Sequence, residues 1–304
     1  MRTASNSVRR ARPLLGTFVE ISVSGAAPAG MDAAVAAAFE AVAKVHRLMS
    51  FHAASSDVGR LNSKAWAGAV RVHPWTLQIL EAAMDLHRRS AGVFDIAVAP
   101  VLQDMGLLPR LHSDHSPQSG KLATMEAVEL LPGRRVRFQH PGVAIDLGGI
   151  AKGFAVDRAI EVLQGFGMPR GLVNAGGDLA AFGAHSETIH IRDPRDPRRL
   201  MCRIEIHNQA LASSGHYFDP VQSADTFGSA VIDPSTRQPA RGIDAATVRA
   251  PSCTVADALT KVVMIAGHSS AALLEHYCAG ALLALPAGGV QMTEDLQNAV
   301  CLAA

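Results

Sequence analysis

The stretch AIDLGGIAKGFAVD, residues 144–157, joins a predicted strand to a predicted helix through a pair of glycines. Glycines after a strand allow the backbone to approach a ligand closely, and the start of the following helix favours an anion. Lys152 adds a full positive charge at that helix start. The segment therefore suits a phosphate group, although these features alone are equally typical of an ordinary strand-to-helix corner.

A second pair of glycines ends the next predicted strand, in the stretch VNAGGD at residues 173–178. Here Asp178 places a carboxylate beside Gly176 and Gly177. We expect the two glycine corners to form opposite walls of one cleft. The polar stretch ASSGHY at residues 212–217 does not match the G-x-S-x-G pattern of a serine nucleophile, so we interpret it as a polar turn.

Two charged residues lie on an otherwise apolar helix that is predicted from Val255 to Ala266. Asp257 and Lys261 stand four residues apart and therefore share one face of that helix. Such a pair is usually a surface salt bridge. The flanking Ala, Val, Leu and Met residues predict a buried helix instead, and a buried carboxylate needs an ion or an ammonium group as its partner.

The composition predicts a globular chain that binds small molecules or specific proteins. Of the 304 residues, 48% are hydrophobic and 18% are charged, which is enough apolar material for a large core. The 28 basic and 27 acidic residues leave a formal net charge of +1, so charge alone attracts neither nucleic acid nor an anionic membrane. The four cysteines are widely spaced, which predicts mostly buried free thiols.

Helices and antiparallel strand pairs are interspersed along the chain without a regular βαβ rhythm. Besides the helices at 152–166 and 255–266, we predict helices from Asp32 to Met49 and from Pro74 to Ser90. Strands are predicted over residues 18–23, 135–138, 143–147, 172–174, 189–191, 202–207 and 279–286, and an exposed connection over 109–121. The pattern favours an α+β fold over a doubly wound α/β fold. We expect a flexible segment at residues 1–12 and one domain at residues 13–304.

Nine short motifs, in this order and spacing, resemble those of the ApbE family of FAD:protein FMN transferases over nearly the whole chain. They are LGT at 15–17, MSFH at 49–52, SDVGRLN at 56–62, GVFDI at 92–96, the stretches 146–157 and 173–178, SSG at 213–215, VIDP at 231–234 and ADAL at 256–259. The resemblance implies a single T-fold-related α+β domain with mixed and antiparallel sheets flanked by helices. It also implies transfer of the FMN half of FAD to a Thr or Ser hydroxyl of an acceptor flavoprotein, with release of AMP.

The same resemblance implies roles for individual residues. Asp257 and the Gly149 carbonyl would bind Mg²⁺, and Lys152 would stabilise the charge of the diphosphate. The positions that would bind the flavin nucleotide are Leu15, His52, Val93, Phe94, Asp95, Asp146, Lys152, Gly176, Gly177, Asp178 and Val231. His216 is the candidate general base because it is a titratable side chain beside the SSG motif.

One position departs from the family pattern at the implied metal site. Lys261 stands where a threonine hydroxyl usually completes that site. An ammonium group has three donors and no acceptor, so it cannot bind Mg²⁺ while charged. Either Lys261 turns away and water completes the coordination, or Lys261 pairs with Asp257 and becomes a catalytic residue. Two rival functions stay open: a metal-dependent FAD pyrophosphatase that yields FMN and AMP, and a non-catalytic FAD-binding carrier.

The adjacent arginines Arg9 and Arg10 are typical of an export signal, but the residues that follow them argue against one. Glu20 interrupts the apolar stretch from Leu14 to Val23, and neither a small-residue cleavage site nor a lipobox cysteine is found there. The chain also lacks a run of about 18 apolar residues. We therefore expect a cytoplasmic protein without a transmembrane segment, or a periplasmic one if the true start lies elsewhere.

Overall fold

The computed structural model describes residues 6–25, 28–110, 124–196, 198–215, 222–223, 226–227, 230–286 and 288–302. Its helices are α1 (Pro28–Met49), α2 (Asp57–Lys64), α3 (Pro74–Arg89), α4 (Ala99–Asp104), α5 (Ala151–Gly165), α6 (Cys253–Ala266), α7 (Ala271–His276) and α8 (Glu294–Gln297). Its strands up to the middle of the chain are β1 (Ser7–Leu14), β2 (Thr17–Ser24), β3 (Val70–Arg71), β4 (Val128–Leu131), β5 (Arg135–Phe138), β6 (Arg170–Ala175), β7 (Asp178–Phe182), β8 (Glu187–Arg192) and β9 (Leu200–Ile206). The remaining strands are β10 (Ala210–Gly215), β11 (Gln222–Ser223), β12 (Thr226–Phe227), β13 (Ile232–Asp233), β14 (Gln238–Pro239), β15 (Ala245–Ala250), β16 (Gly280–Ala284), β17 (Val290–Met292) and β18 (Val300–Leu302).

An antiparallel sheet of eight strands forms the centre of the fold, in the order β1-β2-β6-β7-β10-β15-β16-β17. Helices α1, α5 and α6 pack on one face of this sheet, and the three-stranded sheet β18-β9-β8 covers part of the other. Two layers of apolar residues result, one on each face of the central strands. This arrangement confirms the α+β prediction.

Strand β7 illustrates how the sequence supplies both layers. Its five residues are all buried. Alternate side chains of a strand point to opposite faces, and both faces of β7 are covered. Ala180 and Phe182 join the core beneath the helices, whereas Leu179 and Ala181 join the core beneath the three-stranded sheet. After Asp178, the strand therefore shows four consecutive apolar residues, without the alternation of a half-exposed strand.

Most predicted elements are present, with bounds shifted by a few residues. Helix α1 begins four residues before the predicted Asp32, while α3, α5 and α6 lie within two residues of their predicted bounds. Cys202 and Cys253 are buried as predicted, but Cys278 and Cys301 are exposed. The predicted connection at 109–121 lies outside the described residues from position 111 onwards. No helix in the described part of the chain has the length and apolar character needed to cross a bilayer.

Three local predictions are wrong. Residues 143–147 form no strand, because the backbone N–H and C=O of Ile145 bond the side-chain amide of Asn62, both at 2.9 Å, and not a neighbouring strand. The expected polar turn at 212–217 is strand β10 as far as Gly215, where Ser213 bonds Thr247 across the strand pair at 2.9 Å. The expected flexible segment at 1–12 is already a strand from Ser7, paired with β2 along its whole length.

Helices α5 and α6 cross at very short distance and cap each other. Asp157 of α5 accepts hydrogen bonds from the N–H groups of Cys253 and Thr254, both at 2.8 Å, at the start of α6. In return, Asp257 of α6 accepts a hydrogen bond of 3.0 Å from the N–H of Gly153 in the first turn of α5. Each carboxylate thus satisfies N–H groups that a helix start leaves without intrahelical partners.

We predict that Gly153→Ala destabilises the protein through this helix crossing. A Cβ at position 153 would lie 2.2 Å from the Cys253 carbonyl oxygen and 2.8 Å from the Asp257 Cβ, so the helices would have to move apart. Overpacking of this kind costs roughly 1–3 kcal/mol, to be measured by urea unfolding. Gly165→Ala in the last position of α5 is the matched control, because a Cβ there meets nothing within 4 Å. Equal stability of Gly153→Ala and the wild type would contradict the tight crossing.

Candidate active site

Four charged side chains meet where α5, α6 and β7 converge, and we call them the charge cluster: Lys152, Asp178, Asp257 and Lys261. Lys152 Nζ contacts Asp178 Oδ2 and lies 3.8 Å from Asp257 Oδ1. Lys261 Nζ contacts the same Asp257 Oδ1 and also donates to the Asp257 backbone carbonyl at 3.0 Å. The contact between Lys152 and Asp178 joins the segments that follow the two glycine corners, and the cleft expected between those corners stays a prediction.

The carboxylates of the charge cluster lie deeper than its ammonium groups. The Asp257 and Asp178 side chains are 0% and 2% exposed, whereas those of Lys261 and Lys152 are 17% and 33% exposed. An anion that approaches from solvent therefore meets two ammonium groups before it meets the carboxylates. The sequence suits a phosphate at the start of α5. In the structure the carboxylate of Asp257 takes that position, because its Oδ2 accepts the hydrogen bond from Gly153 N.

The electrostatics of the cluster favour the ionised forms of Asp257 and Lys152. Burial alone would raise the pKa of Asp257, but the nearby Lys152 and Lys261 prevail and hold this pKa below its ordinary value. Burial and the neighbouring Asp257 raise the pKa of Asp178 despite its contact with Lys152. Burial would lower the pKa of Lys152, but the two carboxylates raise it above its ordinary value, so Lys152 stays protonated.

A hydroxyl pair behind the cluster was missed by the sequence analysis as part of the site. Thr260 is fully buried, and its Oγ1 donates to the Asp257 carbonyl at 2.7 Å. Ser214 Oγ lies 2.8 Å from the same Thr260 Oγ1 and is the donor of that bond, because a threonine hydroxyl has one proton. The pair fixes β10 to α6. The SSG motif at 213–215 was the available signal, but no pattern in the sequence indicates that Thr260 faces it.

The Gly176–Gly177 corner is a two-residue hairpin turn between β6 and β7. Both glycines have positive φ angles, +67° and +102°, which a type I′ turn requires. A Cβ at Gly176 would lie 2.5 Å from Thr17 Oγ1, so this turn packs against the start of β2, beside the β1–β2 turn that contains Leu15. The Gly177 N–H donates to Asn174 Oδ1 at 2.8 Å. Asp178 follows at once and is thereby held at the cluster.

A cavity of about 350 Å³ lies between the eight-stranded and three-stranded sheets. Its volume is within the range of small-molecule sites. None of the four cluster residues lines it, but Gly177, the neighbour of Asp178, and Ser214 of the hydroxyl pair do. The other lining residues include Asn174, Leu179, Ile189, His190, Ile191, Arg192, Met201, Leu211, Ser213, Thr247 and Leu282.

A second group of predicted site residues surrounds Asp146. The Asp146 N–H donates to the Ile96 carbonyl at 2.8 Å, which places the segment 143–148 beside the segment 93–96. Burial raises the pKa of Asp146, while the hydrogen bond of 3.0 Å from Gly148 N and the nearby His52 lower it in part. The His52 side chain itself is exposed. Asp146 therefore lies beside the end of the GVFDI motif, and the flavin-binding role of Val93, Phe94 and Asp95 stays a prediction.

Contacts of the segment 93–96 are mainly internal to the protein. Asp95 Oδ1 accepts from Ala97 N at 2.7 Å and its Oδ2 accepts from Met125 N at 3.0 Å, while burial raises the Asp95 pKa. Phe94 is buried in the main core, and its carbonyl lies 2.9 Å from His87 Nδ1. These contacts fix the shape of the segment and hold Val93 at its half-buried position.

Of the remaining predicted residues, Val231 lies elsewhere in the fold. The Val231 carbonyl accepts a hydrogen bond of 2.8 Å from Ala240 N at the β13–β14 hairpin, and its side chain packs against the main core. His216, the predicted general base, lies outside the described residues. Its role stays a prediction.

The residues present do not fit the Mg²⁺ ion that the resemblance implies. Mg²⁺ requires an octahedral set of oxygen ligands at about 2.1 Å. Asp257 Oδ1 and Oδ2 already face the N–H donors of Lys261 and Gly153, and Lys261 supplies no lone pair. The Lys261 stem also covers Gly149, where a Cβ would lie 3.5 Å from Lys261 Cε. Within the described ranges, no group of three or more His, Cys, Asp or Glu side chains could hold a metal ion.

Comparison with known sequences identifies similar proteins over most of the chain. The model of the ApbE family matches residues 15–283. An FAD:protein FMN transferase of Rhodobacter capsulatus is 29% identical over 270 residues, which cover 84% of this chain and 50% of that protein. One of Vibrio cholerae is 28% identical over 236 residues, or 74% of this chain and 71% of that protein. The chain thus spans about half the length of the Rhodobacter relative.

Comparison with solved structures extends the similarity to the whole fold. An ApbE protein of Thermotoga maritima has a TM-score of 0.86 and 27% identity, covering 97% of this chain and 99% of its own. The flavin transferase ApbE of Vibrio cholerae has a TM-score of 0.82 and 25% identity, with the same coverage. A flavinyl transferase of Pseudomonas stutzeri, at 20% identity and a TM-score of 0.83 over both complete chains, shares the fold.

We predict that the charge cluster is energetically coupled. Asp257→Asn leaves two ammonium groups without their shared counter-charge, and breaking a buried ion pair in this way costs roughly 3–5 kcal/mol. Adding Lys261→Met removes one of those unpaired charges. The double variant should therefore lose less free energy of unfolding than the sum of the losses of the two single variants. A double-mutant cycle of urea unfolding measures this coupling. Strictly additive losses would show that Asp257 and Lys261 do not stabilise each other.

The stability difference between wild type and Asp257→Asn should depend on pH. The Asp257 pKa is lower in the folded protein than in the unfolded chain, so its ionised form stabilises the fold above the unfolded value of about 4. This contribution is lost as the pH falls through the folded pKa. The stability difference between wild type and Asp257→Asn should therefore be constant from pH 7 to pH 5 and shrink below pH 4. A difference that grows on acidification would contradict this assignment.

Proposed function

This chain belongs to the ApbE family, and from that membership we propose that it is an FAD:protein FMN transferase. The observation that carries the proposal is the charge cluster, in which two partly exposed lysine side chains cover two buried carboxylates. Such an ammonium pair suits the diphosphate of a nucleotide, and the cavity of about 350 Å³ that reaches the neighbouring Gly176–Gly177 turn has room for part of that nucleotide. FAD is such a nucleotide.

The proposed reaction is a phosphoryl transfer. The oxygen of a Thr or Ser hydroxyl on an acceptor flavoprotein forms a bond to the phosphorus of the FMN half. The bond from that phosphorus to the bridging oxygen breaks, and AMP leaves with the bonding electrons. The hydroxyl proton passes to a base, for which His216 remains our candidate. The products are a phosphoester of FMN on the acceptor and free AMP.

Within this proposal, Lys152 stabilises the negative charge that develops on the diphosphate. It is protonated because Asp178 and Asp257 raise its pKa, and those same carboxylates orient its ammonium. A cation that is fixed before the reaction needs no reorganisation when charge develops on the leaving group. One third of the Lys152 side chain is exposed, so the ammonium is accessible to a ligand.

We further propose that the flavin nucleotide contacts the residues that the resemblance implies. Gly176 and Gly177 would let it approach the hairpin backbone, next to Leu15 and in front of Asp178. His52 and Asp146 would bind the flavin ring or its ribityl chain, on the segment shaped by Val93, Phe94 and Asp95, with Val231 beside it. The Mg²⁺ of the resemblance is the part that the described side chains do not favour, and no step is assigned to it.

We predict that the wild type adds the mass of one FMN to a flavoprotein fragment that bears an acceptor threonine, when FAD and Mg²⁺ are supplied. Lys152→Met should slow this transfer by roughly 10²–10³, the usual effect of removing one transition-state donor. Lys64→Met is the control, because Lys64 is an exposed residue of α2. Intact-mass spectrometry of the acceptor and chromatography of the nucleotides measure the result.

The nucleotide products separate the transferase from its rivals. AMP in equal amount to flavinylated acceptor supports the transferase. Free FMN and AMP with unmodified acceptor would instead indicate a pyrophosphatase, with water as the attacking group. Intact FAD that stays bound to the protein would indicate a carrier.

A further inference from the structure

Lys261 packs against both residues that were expected to hold a metal ion. Its aliphatic stem packs against Gly149, and its ammonium contacts the Oδ1 and the backbone carbonyl of Asp257. Because Lys261 follows Asp257 by one helical turn, α6 itself fixes the distance between the two groups. The ammonium is therefore a built part of the charge cluster, where it fills the space beside Asp257.

The cluster offers a diphosphate ammonium donors on its more exposed side. The two positive charges of Lys152 and Lys261 are balanced by the deeper carboxylates of Asp178 and Asp257, so the lysines act on a ligand through directed hydrogen bonds and not through an excess of charge. Two of the three N–H donors of Lys261 face Asp257, which leaves one for a phosphate oxygen. Since Lys261 is 17% exposed and Lys152 is 33% exposed, both ammonium groups lie on the side from which a ligand arrives.

A divalent ion would meet opposition at this position. To coordinate Asp257 Oδ1 it would have to displace the Lys261 ammonium, which would then lie next to the ion with the same sign of charge. The other oxygen of Asp257 is used by Gly153 N, and losing that bond would uncap α5. Both effects favour the lysine over the metal in this chain.

We propose that Lys261 replaces the divalent cation at this site, so that the chain binds FAD and transfers FMN without a metal ion. The proposal rests on the transferase function proposed above and adds how its diphosphate is bound. In the transfer step, the acceptor oxygen bonds to the FMN phosphorus and the bridging oxygen leaves with AMP. The Lys152 and Lys261 ammonium groups would hold the diphosphate oxygens, and the hydroxyl proton would leave through a base or solvent.

The first test compares transfer by metal-free wild type in EDTA with transfer in Mg²⁺. We expect the two rates to agree within about twofold. Loss of transfer in EDTA by two orders of magnitude, with recovery on adding Mg²⁺, would overturn the proposal while leaving the transferase function intact.

Two variants at position 261 sharpen this test. Lys261→Thr supplies a hydroxyl oxygen instead of the ammonium, so we expect transfer that is lost about 100-fold in EDTA and restored by Mg²⁺. Lys261→Met supplies neither charge nor ligand, so we expect a comparable loss under both conditions. Lys64→Thr on α2 is the matched control and should behave as the wild type. Undiminished transfer by Lys261→Thr in EDTA would overturn the proposal.

Metal and FAD binding give readouts that do not depend on turnover. In electron paramagnetic resonance titrations with FAD present, wild type should bind no Mn²⁺ beyond that held by free FAD, whereas Lys261→Thr should bind about one per chain. In EDTA, Lys261→Met should bind FAD at least tenfold more weakly than wild type. One Mn²⁺ bound per wild-type chain, or unchanged FAD affinity of Lys261→Met, would overturn the proposal.

These readouts keep the two proposals separable. If no form of the protein flavinylates an acceptor under any condition, the transferase function fails. The Mn²⁺ and FAD titrations then decide the role of Lys261 on their own, since both are made without an acceptor.

Discussion

The reciprocal capping of α5 and α6 is the constraint on which the site depends. Asp157 holds the start of α6 against α5, and Asp257 holds the start of α5 against α6. The exchange is possible only because position 153 is a glycine at the crossing. Lys152 neighbours that glycine, so the same contact brings its ammonium to the carboxylate of Asp257. Helix packing and the arrangement of charges are therefore one and the same feature of this protein.

Much of the fold could be read from the sequence because long periodic elements carry a strong signal. Helices α3, α5 and α6 show apolar residues at helical spacing, and their bounds agree with the prediction within two residues. Short elements were harder to predict from the sequence. Strand β10 has serines at two of its six positions, and these hydroxyls bond Thr247 and Thr260, partners that the sequence does not reveal. At Ile145 a side-chain amide takes the place of a strand, which no local pattern indicates.

Among the charged residues, contacts within one helix could be predicted better than contacts between distant segments. The pairing of Asp257 with Lys261 follows from helical spacing. The sequence left open whether Lys261 pairs with Asp257 or turns away, and in the structure it pairs. The contact of Lys152 with Asp178 depends on how two distant corners meet, and spacing alone does not determine it. The capping role of Asp257 was missed, because a helix start that suits an anion does not say whether ligand or protein supplies it. Thr260 was missed because a threonine on an apolar helix face is ordinarily part of the core.

The position of Lys261 has a consequence for how the protein would work in a cell. A bound ion is present only as far as its free concentration allows, and ATP, free nucleotides and other phosphates compete for it. A charge on a side chain is made with the polypeptide and is present in every folded copy. It cannot depart with a product, and it holds its place between turnovers. With Lys261 in the cluster, the working state of the site would be set at translation and would be independent of fluctuations in the ion supply.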